Sequence, residues 1–508
     1  MPATLRALAP LLLAPLVAAC SGGGDDEANL GPADDGPWTA GVALEPTPQG
    51  EGDPERGRDL LLNGNFMSCG VPWKLWEDPT FGPTVQGTLG GAEGETIEGR
   101  TGRNAALPYS VNAFTTTDGA EVVNRNCLSC HGGRFDGNLI LGLGNATADF
   151  TGGVADGAPP SLPATLLESL GLDAAEQANM EKVLRFGRAA GDATRMRTIG
   201  MNPAEQLTGV LIAHHDRDTL AWLEEPLYDV RVVRDEDGEV IPDARLTSDP
   251  PPWWRAHKKN ALFYNGMARG DHRGTMALAT SVCVDTLDEA RRVDGLFRDM
   301  HAYVRTLVAP AYTRNVDSDL AGRGKDVFLR DCAGCHGTYG ADAADDTTDS
   351  YPSLLLPLDV IGTDSAVARA PLDNDTLLDW YNGSFYGQVA PAVADDPFPG
   401  YMAPPLDGIW ATAPFLHNGS VPTVELLLDS SARPTYWKRV DLDDTNFDEE
   451  ALGWPWEAVT TPQAEAPEAE RPMIYDTTYY SQTNGGHTFG DHLTADERRA
   501  VIEYLKTL

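Results

Sequence analysis

Apolar residues recur at helical spacing in four stretches of the chain. Residues 163–188 carry Leu166, Leu167, Leu170, Met180, Val183 and Leu184. Residues 286–307 put Val293, Leu296, Met300 and Val304 on one stripe. Residues 320–331 form a third helical run. The fourth, 494–508, opens with Thr494-Ala495-Asp496-Glu497, a capping-box pattern, and continues with Val501, Ile502 and Leu505. One hairpin is expected, from Val230–Val233 through a turn at Asp237-Gly238 to Val240-Ile241. The rest lacks a sustained period, so the expected class is mainly α with extensive loops. A break across residues 308–319 suggests an N-terminal domain over 54–312 and a C-terminal domain over 313–508.

Composition adds limits. The 52 glycines and 37 prolines exceed the usual share and favour long loops. Hydrophobic residues make up 42%, enough for a packed core. The 76 acidic residues against 38 basic ones give a net charge of -38, which makes nucleic acid a poor partner. Mean hydropathy is -0.30 and there is no apolar run of 18 residues, so a polytopic membrane protein is excluded. The apolar stretch Leu5–Ala19, interrupted by Pro10 and Pro15, suits a secretory signal. It ends in Val17-Ala18-Ala19-Cys20, which resembles a bacterial lipoprotein cleavage site. Residues 1–20 then read as a lipoprotein signal peptide and 21–53 as a flexible tether; an ordinary secreted protein is the alternative. Both place the chain outside the cytoplasm, and the lipoprotein reading places it in the cell envelope, on the periplasmic side. With Ser21 after Cys20, the lipoprotein resemblance favours the outer membrane, touched only through the lipid anchor.

The sequence has seven cysteines. Cys127-Leu128-Ser129-Cys130-His131 and Cys332-Ala333-Gly334-Cys335-His336 are copies of Cys-x-x-Cys-His, 205 residues apart. Composition alone expects one such pentapeptide roughly 0.002 times in a chain of this length. On a helical turn, residues three apart share a face. Both thiols can then reach one porphyrin edge while the following histidine reaches the iron. Two c-type haems follow, with cofactor-binding residues Cys127, Cys130, His131, Cys332, Cys335 and His336. Zinc would need a second nearby ligand pair, which each motif lacks. Cys69 and Cys283 remain; they are either a disulfide, worth roughly 5 kcal/mol in the loop-entropy account, or two buried thiols.

The second axial position on each iron separates an electron carrier from an enzyme. Of the other histidines, His417 lies in Ala413-Pro414-Phe415-Leu416-His417-Asn418-Gly419 and His487 in the Gly-rich Asn484-Gly485-Gly486-His487. Met201, Met267 and Met402 are weaker candidates. Asp441-Leu442-Asp443-Asp444 does not complete a calcium loop.

With these motifs in place, Leu406–Thr423 resembles the bacterial di-haem cytochrome c peroxidase superfamily. The version here, followed by Arg433-Pro434, resembles most the rubber-oxygenase branch, which also holds di-haem enzymes oxygenating unsaturated fatty acids. Residues 252–266 and 484–508 are similar to it as well. The resemblance implies two cytochrome c-like haem domains with unequal roles. The His131 haem would be reactive and the His336 haem would pass electrons, with His487 as its second ligand and His417 as the alternative. In the peroxidases that ligand is a Met, and no Met follows His417 before Met473. A tryptophan between the haems maps onto Trp253 or Trp254. Phe263, Tyr264 and Met267 would shape the first haem's pocket. Leu139, Ile140, Leu141 and Leu143 are available as apolar lining near His131. The implied activity is O2- or H2O2-dependent oxidation, oxygenase or peroxidase, with an apolar chain substrate and a small redox partner protein. A calcium ion between the domains is allowed for. A pure electron-transfer cytochrome and a surface-tethered haem or redox sensor are the other readings. No catalytic carboxylate stands out among the 76 acidic residues.

Overall fold

A computed structural model describes residues 36–508 apart from 91–94, 154–161, 236, 281 and 341–345. The signal-like stretch, Cys20 and tether residues 21–35 lie outside the described residues.

Each half of the chain is built on one crossed pair of helices. In the first, Pro54–Asn63 packs on Leu287–Val304. In the second, Ser318–Asp331 packs on Ala495–Leu505. Both crossings depend on a glycine. A Cβ on Gly57 would meet the Asp299 carbonyl oxygen at 2.0 Å, and one on Gly324 would meet the Ala500 oxygen at 1.8 Å. The last helix starts as expected: the Thr494 side chain accepts from the Glu497 amide, and the Glu497 carboxylate accepts from the Thr494 amide. Thr286 caps the 287–304 helix in the same way, accepting from Glu289.

Three expectations are corrected. The run at 163–188 is two helices, Ala164–Ser169 and Ala174–Ala190. Gly171, at φ 71°, turns the chain between them, and Asp173 with Glu176 forms a new capping box. The hairpin pairs Val233–Arg234, rather than Val230–Val233, with Val240–Ile241. Residues 36–53 are not a free tether. Val42–Ala43 pairs with Leu354–Leu355, inside an antiparallel sheet completed by Gly400–Met402. Trp38 packs against Gly334, in the second Cys-x-x-Cys-His turn.

The other sheets are also small and antiparallel. One combines Val71–Pro72, Glu121–Arg125 and Val111–Thr115; another centres Tyr436–Arg439 between Trp456–Ala458 and Ile474–Asp476. A break in helix does fall between Val304 and Ser318, but the cores cross it. One apolar cluster joins Phe135, Leu143 and Trp254 to Phe328, Trp410, Trp454 and Tyr504. Another joins Leu61, Phe66 and Phe297 to Trp380, Tyr381 and Tyr386. The two halves therefore share buried surface, and their stabilities are coupled. Cys69 and Cys283 form a disulfide with Cα atoms 5.3 Å apart, the bridged alternative rather than two thiols. Among the described residues, no helix is long and apolar enough to cross a membrane.

Candidate haem sites

Both cysteine pairs sit on a single helical turn ending in the histidine, Leu128–His131 and Ala333–His336. The His131 amide donates to the Cys127 carbonyl and the His336 amide to the Cys332 carbonyl, each at 3.0 Å. This i to i+4 geometry brings both thiols and the ring to one side. The four cysteines are unbridged. Burial pushes the Cys127 and Cys332 thiols up to about 12 and Cys335 up to about 11, so they are held as thiols rather than metal-binding thiolates.

Each histidine is aimed by a proline carbonyl. His131 Nδ1 lies 3.1 Å from the Pro251 oxygen and His336 Nδ1 lies 2.8 Å from the Pro404 oxygen. A carbonyl there fixes the proton on Nδ1 and leaves Nε2 as the free ligand atom. Burial lowers the His131 pKa to about 4 and lowers that of His336, so both rings are neutral, the form that binds metal.

Beyond that shared plan the sites differ. The His336 ring faces the His487 ring with centroids 6.3 Å apart. An imidazole nitrogen sits about 2.0–2.1 Å from a metal it binds, and its ring centroid lies about 1.1 Å further back. Two imidazoles on opposite sides of one iron therefore have the spacing seen here. Burial lowers the His487 pKa to about 3, again the neutral form. His487 has a φ of 44°, in the left-handed region, where a non-glycine residue needs support from its surroundings. Arg433 supplies much of it. Its guanidinium donates to the carbonyls of Leu426, Leu427, Asn484, Gly486 and His487, at 2.7–3.1 Å. The His487 amide also donates to Ile361 at 2.7 Å.

Around these two histidines lies a cavity. Its wall is mostly apolar, with Phe328, Leu428, Phe489, Val501 and Leu505 among its residues. The polar groups on it include Asp249, Arg255, Tyr264, Asp331, Tyr401 and His417. His417 stacks on Tyr401 at 4.1 Å, and its buried Nε2 has no hydrogen-bond partner among the described residues. The Asp249 amide donates to the His417 carbonyl at 2.8 Å. Burial raises the Asp249 carboxyl well above its ordinary range, and the Tyr264 hydroxyl donates to its Oδ2 at 3.5 Å. A covalently held haem fits this arrangement: paired thiols on one helical turn, two facing neutral imidazoles, and a mostly apolar cavity around them.

His131 has different company. Its ring stacks on Trp253, centroids 4.8 Å apart, and not on a second imidazole. Cys127, Leu141, Tyr109 and Trp253 all pack against the core that holds Leu128, and Cys130 packs against the cluster of Phe150, Met196 and Met201. Of the apolar residues expected near His131, Leu143 and Ile140 go to the large shared core while Leu141 stays near Cys127.

The neighbouring tryptophans part company. Trp253 lies on His131; Trp254 is buried, its indole donating to the Asp407 carbonyl at 2.8 Å, three residues after Pro404. Phe263 and Tyr264 also diverge. Tyr264 lines the His336 cavity, while Phe263 approaches Gly274, next to Tyr381. Met267 packs with the first-half core. Sequence reasoning missed Asp249, Arg255 and Tyr401 as cavity walls, and Pro37, which also lines it. It offered no signal for them, because burial and fold proximity alone mark them out. Among the described residues no group of three or more His, Cys, Asp or Glu is arranged to hold a metal ion, calcium included.

Comparison with known proteins agrees with this geometry in one region. Residues 400–438 match a family described as RoxA-like, cytochrome c-like. That segment contains Pro404, Trp410, His417 and Arg433, much of the second cavity and its clamp. The chain is 31% identical over 186 residues to "Uncharacterized protein y4iJ" of Sinorhizobium fredii (strain NBRC 101917 / NGR234), covering 28% of this chain and 30% of that protein. It is 25% identical over 238 residues to "Uncharacterized protein y4iM" of the same strain, covering 42% and 51%. The chain thus spans about a third and about half of the curated relatives it matches. The segment is related to RoxA-like cytochrome c domains, which points to a haem cytochrome function.

Proposed function

We propose that this chain is a di-haem c-type oxidoreductase with two unequal sites. Cys127, Cys130 and His131 hold a reactive haem, and Cys332, Cys335, His336 and His487 hold an electron-transfer haem. The observation that carries the reading is the asymmetry of the two histidines. His336 faces a second imidazole at the 6.3 Å spacing of two ligands on one iron, whereas among the described residues His131 has no such second imidazole and its ring stacks on the Trp253 indole. Haem supplies one-electron exchange, and activation of O2 or peroxide where one axial position is free.

The protein's part is positional. Pro251 and Pro404 carbonyls orient the two proximal rings. Arg433 holds the loop that presents His487. Trp253, on His131, and Trp254, bonded to the loop that carries Pro404, lie consecutively between the sites and form the electron path.

The substrate class we propose is an unsaturated hydrocarbon chain, oxygenated with O2; the RoxA-like match supports it. The net charge of -38 favours a small basic redox partner. The proposed location is the periplasmic side of the cell envelope, as an outer-membrane lipoprotein anchored through Cys20. The test is oxygen uptake by holoprotein given polyisoprene or an unsaturated fatty acid, with H2O2 turnover measured alongside. O2 consumption with cleaved or oxygenated product is expected. Peroxide turnover alone would make the chain a peroxidase, and neither activity would leave an electron carrier.

A further inference from the structure

We propose that Arg255 anchors a propionate of the haem held by Cys332 and Cys335. The inference rests on the second site's assignment above. In a c-type haem the thioether edge lies opposite the propionate edge, so the cysteines define where the two carboxylates must go. The polar side chains lining the cavity include Asp331, next to Cys332, and a group in mutual contact, Asp249, Tyr264, Tyr401 and His417; Arg255 lines the same cavity. Among the described residues Arg255 is the only Arg or Lys on its wall.

Arg255 is 4% exposed. Its Nε donates to the Asp407 carbonyl at 2.9 Å, but its Nη2 has no partner among the described residues. A buried guanidinium with an unpaired N–H is costly unless an anion completes it. The nearby Asp407 carboxylate does not serve. Asp407 Oδ1 is taken by Lys258 at 2.5 Å, and its buried Oδ2 bonds to no group among the described residues, Arg255 included. A propionate supplies the missing anion and can take the planar fork in two-point fashion.

Position gives the contact a role. Arg255 follows Trp253 and Trp254, and it shares the Asp407 carbonyl with the Trp254 indole. The propionate edge of one haem would then be tied to the turn that stacks on the other haem's histidine. Arg255 is thus a positioning residue that also raises the second haem's potential by offsetting a negative charge.

The test compares Arg255→Gln and Arg255→Lys holoproteins by resonance Raman spectroscopy of the propionate bending band and by redox titration. Arg255→Gln should move the band. It should also shift the ferric–ferrous equilibrium of the low-spin haem roughly tenfold toward ferric, about 59 mV for one electron, while spin state is kept. Arg255→Lys should move the band but hold the potential. An unmoved band and potential in Arg255→Gln would overturn the proposal. If that variant fails to mature, an unmoved band in Arg255→Lys would overturn it equally, and a moved band would support it. Absence of a low-spin haem in the unmutated protein would sink the His487 assignment instead; the propionate band would still decide this one.

Discussion

The two Cys-x-x-Cys-His turns are nearly the same device set in different frames. Each ends in a neutral histidine whose Nδ1 faces a proline carbonyl, Pro251 in one and Pro404 in the other. The second turn follows directly from the Ser318–Asp331 helix, which is crossed by the last helix of the chain. The first follows a strand, Glu121–Arg125, and is followed by the hairpin Gly132–Phe135 and Asn138–Leu141. What faces each histidine differs more: His487 for His336, Trp253 for His131. The local motif and its proline carbonyl are therefore shared, and the difference lies in the ring beside each histidine, supplied by residues far away in the chain.

Removing that neighbour breaks the comparison most severely. His487→Ala should turn the second site into an analogue of the first, converting the low-spin haem to high spin completely; the optical and EPR spectra read this. An unchanged spectrum, with His417→Ala altering it instead, would mean that the cavity-wall histidine is the ligand.

Loosening the clamp should do less. Arg433→Gln loses most of five hydrogen bonds to carbonyls, and bonds from charged donors contribute about 1.5–3 kcal/mol each before the loop relaxes. The expected outcome is a low-spin/high-spin mixture and a loss of about 3 kcal/mol, by denaturant titration. A wild-type spectrum would show that the His487 loop holds itself.

Two further changes test the halves separately. The Cys69–Cys283 bridge lies wholly in the first half, so Cys69→Ala with Cys283→Ala should cost about 2–5 kcal/mol and leave the His336 haem's spectrum unchanged. Calorimetry would show it. Thr494→Ala removes the cap of the last helix and should cost about 1 kcal/mol, felt first in the second half. Hydrogen exchange of the 495–505 amides is the sensitive readout.

Much of this was legible in the chain itself. The cysteine spacing marked both Cys-x-x-Cys-His turns, because a motif written within five residues is local. Thr494 and Glu497 announced the last helix for the same reason: capping is local. The Gly-rich setting of His487 pointed to a close approach, which the structure shows against His336. What stayed hidden was non-local. Trp38 and Val42–Ala43 sit in a Gly/Pro-rich stretch with no period, yet they pack on the second turn and complete a sheet. Strands of two to five residues are too short for alternation to register. The adjacent pairs Trp253/Trp254 and Phe263/Tyr264 could not be told apart by type. Only the fold sends one member of each toward a histidine or cavity and the other elsewhere.

The account's central claim is that two alike motifs hold unlike irons, and the ferric EPR spectrum of purified holoprotein tests it most directly. The account predicts one low-spin signal with two imidazole ligands and one high-spin signal, in equal amounts. Two low-spin signals, persisting through anaerobic reduction, would contradict it and leave an electron carrier.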